Sequence, residues 1–159
     1  MFLLSASNED KTEDSIIEMG ERLAREIKQY VIEFCPGSNL ARLSVIAFSM
    51  GGLIARAALP HLDHLKSKFY TFVTMSTPHL GYMYNSNKVF ETGLWFLKKW
   101  NKSLSLAQLS MTDSDRLEQQ CLYRISEWPG LEWFENILLV CSNQDQYVPF
   151  DSARIQICK

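Results

Sequence analysis

Ser49 is the residue best framed for chemistry in this 159-residue chain. It sits in Leu43-Ser44-Val45-Ile46-Ala47-Phe48-Ser49-Met50-Gly51-Gly52-Leu53-Ile54-Ala55-Arg56. An apolar, β-branched run enters a small-x-Ser-x-Gly turn, and an Ala-rich, helix-forming run leaves it. A serine on such a sharp strand-to-helix turn projects its Oγ above the end of a sheet, where it can act as a nucleophile. Strand and helix crowd each other there, so small residues are needed two before and two after the serine. Ala47 and Gly51 meet that need, although Ala47 adds one methyl to the more usual glycine. The helix turns its positive end toward the serine, and the Met50 backbone N–H is placed to donate to a developing oxyanion. A buried strand followed by a serine-capped helix would use the same residue types. The strand before and the helix after favour the nucleophile.

The elements that must hold this turn are legible on either side of it. Ile16, Met19, Leu23, Ile27, Tyr30, Val31 and Phe34 recur at three- and four-residue steps, which predicts a long amphipathic helix stopping at Pro36-Gly37. Leu43 to Phe48 reads as a parallel strand buried on both faces. The helix after Ser49 is predicted to reach about Leu59 and end at Pro60. Phe69 to Met75 and Ile137 to Cys141 read as two further strands, and Phe2 to Leu4 as a short one. Strands alternating with helices predict an α/β domain, mostly parallel, with helices on both faces. The excursion from about 82 to 133 breaks the rhythm. It contains Trp95, Phe96 and Trp100, a cluster that suits a cap over a site, whereas the spacing of Leu94, Leu97 and Trp100 suits plain helix packing.

Composition narrows the function classes. Hydrophobic residues make up 47% and charged residues 21%, so the chain forms a globular core rather than a disordered tail. A net charge of −2 with no long basic run argues against a nucleic-acid partner. Cys35, Cys121, Cys141 and Cys158 are scattered without a CxxC pair. That suits buried thiols in a reducing, cytoplasmic setting and supplies no metal-ligand cluster. The first apolar run is too short for a signal peptide or a membrane span.

Three motifs together resemble the eukaryotic putative serine esterases, a lipase-like branch of the α/β-hydrolase fold. They are Ala-Phe-Ser-Met-Gly-Gly at 47–52, Thr-Pro-His-Leu-Gly at 77–81 and Ser-x-x-Asp-x-x-Val-Pro at 142–149. The run Thr92-Gly93-Leu94-Trp95-Phe96-Leu97-Lys98-Lys99-Trp100 and the ending Ser152-Ala153-Arg154-Ile155 resemble a subgroup with the domain at the C-terminus of large proteins. The resemblance covers nearly the whole chain as one domain. It implies Ser49 as nucleophile, Asp145 as the acid that orients a histidine, and His79 as a pocket-shaping residue. Asp145 competes with a plain turn-forming role. Asp151 competes for the acid's role but comes too late after its strand. The implied reaction is hydrolysis of a lipid or other apolar carboxylic ester through an acyl-serine, and it needs no cofactor or metal. Acyl transfer to another acceptor is not separated by sequence. Phe48 stands where lipases commonly carry histidine.

The chain departs from that pattern at its base. It has three histidines, His61, His64 and His79. His61 and His64 follow the elbow helix in a charged stretch and read as surface residues. The triad order calls for a histidine after Asp145, and none follows it. No His-Gly loop precedes Ser49 to supply a second oxyanion donor. The expected α/β-hydrolase domain is therefore incomplete at both ends, with a strand missing beside Leu43–Phe48 and little esterase activity of its own. A piece of a longer hydrolase is the favoured explanation. A non-catalytic binding or scaffold domain on the same fold is the alternative. Peripheral membrane contact and oligomeric state stay open.

Overall fold

The structure, a computed structural model, describes residues 1–82 and 103–156. Helix α1 spans Ile16–Phe34. The Ser15 side chain caps it by accepting from the Ile17 N–H, and Pro36 follows its end. Its apolar stripe buries Ile16, Met19 and Ala24. Strand β1 (Leu43–Phe48) leads into helix α2 (Gly51–Ala58), and a 3-10 segment, Leu59–Lys68, carries the chain to strand β2 (Phe69–Met75). Helices α3 (Leu104–Leu109) and α4 (Cys121–Glu127) come next, then strand β3 (Asn136–Val140) and helix α5 (Phe150–Ala153). The boundaries of α1, β1 and β2 match the apolar pattern. Strand β3 begins one residue earlier than its apolar run, because Asn136 already pairs with Thr71.

The sheet is parallel, in the order β1-β2-β3. Val45, Phe72 and Ile137 form one inward row across it, and Ala47, Thr74 and Leu139 the next. Helix α2 packs directly on β1 and α1 packs on α2, with Leu23 and Ile27 of α1 against the cluster that holds Phe72. The two helices approach closely because Gly20 lacks a side chain: a Cβ there would stand 2.6 Å from the Ala57 Cβ. Phe72 is fully buried, its ring 5.1 Å from that of Phe134. Part of the excursion belongs to the same layer. Leu109, Cys121, Leu122 and Ile125 share a core with Ile16, Met19 and Leu53. Gln108 also accepts from the Ile16 N–H at 2.8 Å, which ties α3 to the start of α1. Trp95, Phe96 and Trp100 lie outside the described residues.

Two expectations are corrected. Phe2 to Leu4 form no strand. The segment is tied to α1 instead: Tyr30 Oη donates to the Phe2 carbonyl at 2.8 Å, and the Ala6 N–H to Glu26 Oε1 at 2.9 Å. Three residues offer too little ladder to compete with those anchors. The second correction concerns the sheet's other face, which among the described residues carries no helical layer. Ile46, Val73 and Leu138 form one row there and Phe48, Met75 and Val140 the next. Ile46 is 72% exposed and Phe48 67%. A continuous apolar run looks the same in sequence whether one face or both are covered.

The two faces should respond differently to one truncation. Phe72→Ala should cost about 3–5 kcal/mol, the range for deleting a buried aromatic ring. Phe48→Ala should change stability by less than about 0.5 kcal/mol. Urea unfolding of both variants checks the contrast.

Candidate active site

The three strands end side by side, and the candidate residues follow their C-terminal ends, where parallel α/β sheets bind ligands. Ser49 follows β1 directly with φ 52. For a residue other than glycine this left-handed backbone costs about 1–3 kcal/mol and persists only where surroundings enforce it. The enforcement is visible. The Ser49 N–H donates to the Met75 carbonyl at 2.9 Å. The Ser49 carbonyl accepts from the Gly52 N–H at 3.1 Å and from Thr77 Oγ1 at 2.7 Å. Ser49 is half-buried, and no described group hydrogen-bonds its Oγ. Met50 stands at the α2 N-cap position, and among the described residues its N–H has no backbone acceptor.

The second strand ends in the same way. Ser76 has φ 51, and its N–H donates to the Val140 carbonyl at 2.9 Å. Asp145 occupies the turn after β3, half-buried. One of its oxygens accepts the N–H groups of Tyr147 at 2.9 Å and Val148 at 3.0 Å. Partial burial pushes its pKa up, but those two donors and the nearby Ser76 hydroxyl outweigh it and hold the carboxyl below its usual value. Tyr82 lies within reach of its charge. Burial first, and then Asp145, push the Tyr82 hydroxyl up to about 12. Asp145 is thus an ionised, preoriented carboxylate near the strand ends. Asp151 is engaged elsewhere, accepting from Arg154 at 3.0 Å.

None of the three histidines meets Ser49. His61 and His64 lie in the 3-10 segment that leads to the start of β2, at the opposite end of the sheet. His79 is 2% exposed. Its Nε2 is 3.0 Å from Thr74 Oγ1 and its Nδ1 is 3.5 Å from Arg56. Burial, and secondly the Arg56 charge, pull its pKa down to about 3. It is therefore a neutral interior residue, fastening the Thr77–Gly81 turn beneath the strand ends. Burial also pulls Arg56 down to about 10. Arg56 donates to the carbonyls of His79 and Ile125, both at 3.5 Å. The second of these lies near the C-terminus of α4, the end whose dipole favours a cation.

Sequence reasoning did not find the roles of Thr77, Ser76 and Arg56. For Thr77 the signal was present: Gly52 and the Thr-Pro-His turn both stood in the sequence, but only the fold brings them together. Among the described residues no group of His, Cys, Asp and Glu could hold a metal ion, and no described helix is long and apolar enough to cross a membrane.

His79 has a stability consequence with a definite sign. Its folded pKa is depressed from 6.5 to about 3, so between those values the unfolded chain binds a proton that the folded chain does not. Stability is full above pH 6.5 and falls as pH drops toward about 3, by at most about 1.4 kcal/mol per pH unit from this group. Urea midpoints measured across that window should fall less steeply in His79→Gln.

No solved structure matches the chain. The model of the family described as Putative serine esterase (DUF676) matches residues 1–159, and with a serine held left-handed between a parallel strand and a helix, the chain belongs to that family.

Proposed function

We propose that this chain carries the nucleophile and the acid of a serine esterase on an α/β-hydrolase sheet. Ser49 attacks a carboxylic ester carbonyl and becomes acylated. The Met50 N–H donates to the oxyanion of the tetrahedral intermediate. Asp145 orients a histidine that takes the serine proton and later returns it to the leaving group. Water then releases the acid. The observation that carries this reading is the left-handed Ser49 at the junction of β1 and α2, its Oγ unclaimed by any described group. Membership of the serine esterase family supports the reaction class. The apolar-ester or lipid substrate rests on the sequence resemblance.

The three histidines of this chain stand away from Ser49, so none of them serves as its base in this reading. By itself the chain should turn over esters very slowly, because a triad without its base retains only what binding and oxyanion stabilisation supply. That same observation favours a second reading, a hydrolase-fold domain that binds without catalysing.

External imidazole separates the two. In imidazole buffer, hydrolysis of p-nitrophenyl octanoate by the chain should exceed that of Ser49→Ala by tenfold or more, and a fluorophosphonate probe should label the chain but not the variant. Asp145→Asn should lower the imidazole-supported rate less than Ser49→Ala does, because free imidazole is only partly oriented by the acid. Equal rates and equal labelling for the chain and Ser49→Ala would favour the binding domain.

A further inference from the structure

We propose that Thr77 is a positioning residue for Ser49, its hydroxyl fixing the carbonyl side of the left-handed turn so that Oγ points outward. The inference rests on the nucleophile reading of Ser49 and adds a residue to it. Both backbone groups of Ser49 are bound to the exit of β2. Its N–H donates to the Met75 carbonyl at 2.9 Å, and its carbonyl accepts from Thr77 Oγ1 at 2.7 Å. The first bond restrains the peptide before Ser49 Cα and the second the peptide after it. Together they hold φ and ψ in a region that a serine would otherwise leave. The Gly52 N–H, at 3.1 Å from the same carbonyl, belongs to the first turn of α2 and moves with it. Thr77 alone ties that carbonyl to the sheet among the described residues.

The surroundings fit this role. Thr77 is completely buried. A Cβ at position 52 would stand 2.3 Å from Thr77 Oγ1 and 2.6 Å from its Cγ2. The absence of a side chain at Gly52 is therefore what lets Thr77 reach the turn. Thr77 is itself anchored, since its carbonyl accepts from the His79 N–H at 2.9 Å. The His79 ring is in turn fastened to Thr74 and Arg56.

A hydroxyl strut and a merely space-filling threonine predict opposite orders for two variants. Thr77→Val keeps the shape and loses the donor, whereas Thr77→Ser keeps the donor and loses the methyl. Two readouts apply to the whole chain: the rate of fluorophosphonate labelling of Ser49 in imidazole buffer, and hydrogen exchange of the Gly52 and Leu53 amides. In Thr77→Val labelling should slow about tenfold, the scale of one net hydrogen bond, and the two amides should exchange faster while α1 amides are unchanged. Thr77→Ser should stay within about threefold of the parent in both. Thr77→Ala, which also lacks the donor, replaces the valine variant should that fail to fold. Parent-like labelling and exchange in Thr77→Val, or a larger loss in Thr77→Ser, would overturn the proposal. Labelling of the parent no faster than Ser49→Ala would overturn the nucleophile reading. The exchange data would then decide alone whether Thr77 holds the turn, with parent-like protection in Thr77→Val rejecting it.

Discussion

A serine backbone in the left-handed region is unfavourable, and much of the described structure acts to keep Ser49 there. The N–H of Ser49 and its carbonyl both bond to the end of β2. Those bonds require β1 and β2 to be parallel neighbours, with the exit of one level with the exit of the other. The pairing of Phe48 with Met75 provides that register. A slip of one residue would reverse which face each side chain occupies and would carry the acceptor carbonyl away from the Ser49 N–H.

That register depends on the helical layer. Helix α2 must leave Ser49 at once and still pack against both β1 and α1. Gly20 admits the Ala57 side of α2, and Gly52 admits Thr77. Both contacts are too short for a side chain, so packing transmits any displacement of the layer to the turn. Among the described residues the other face of the sheet bears no such constraint, and Ile46 and Phe48 are exposed there.

A buried polar group stabilises the turn after β2 in a different way. Arg56, His79 and Thr74 share hydrogen bonds beneath the strand ends. The arrangement suits a neutral imidazole, because a proton on His79 would face the Arg56 charge with little solvent to screen it. Asp145 shows the opposite electrostatics: donors from its own turn favour its ionised form. One end of the sheet thus holds both an uncharged histidine and a charged carboxylate.

The elements around Ser49 were legible because short-range physics writes them. Helical periodicity gave α1, apolar runs gave β1 and β2, and the small residues at 47 and 51 marked the turn between strand and helix. Asp145 was recognisable for a similar reason, as part of a local turn with its own donors. The exposure of Ile46 and Phe48 among the described residues was not legible, since hydrophobicity along a strand does not record whether a second layer covers it. Nor was the fate of Phe2–Leu4, where anchors on α1 prevail over a weak strand signal. The clamp on Ser49 joins residues 28 positions apart in sequence, and His79 became an interior post only through Arg56, 23 positions earlier. The sequence by itself determined which residue types stand in the turns. Only tertiary structure decided which turns meet, because hydrogen bonds and burial depend on distances that chain order does not encode.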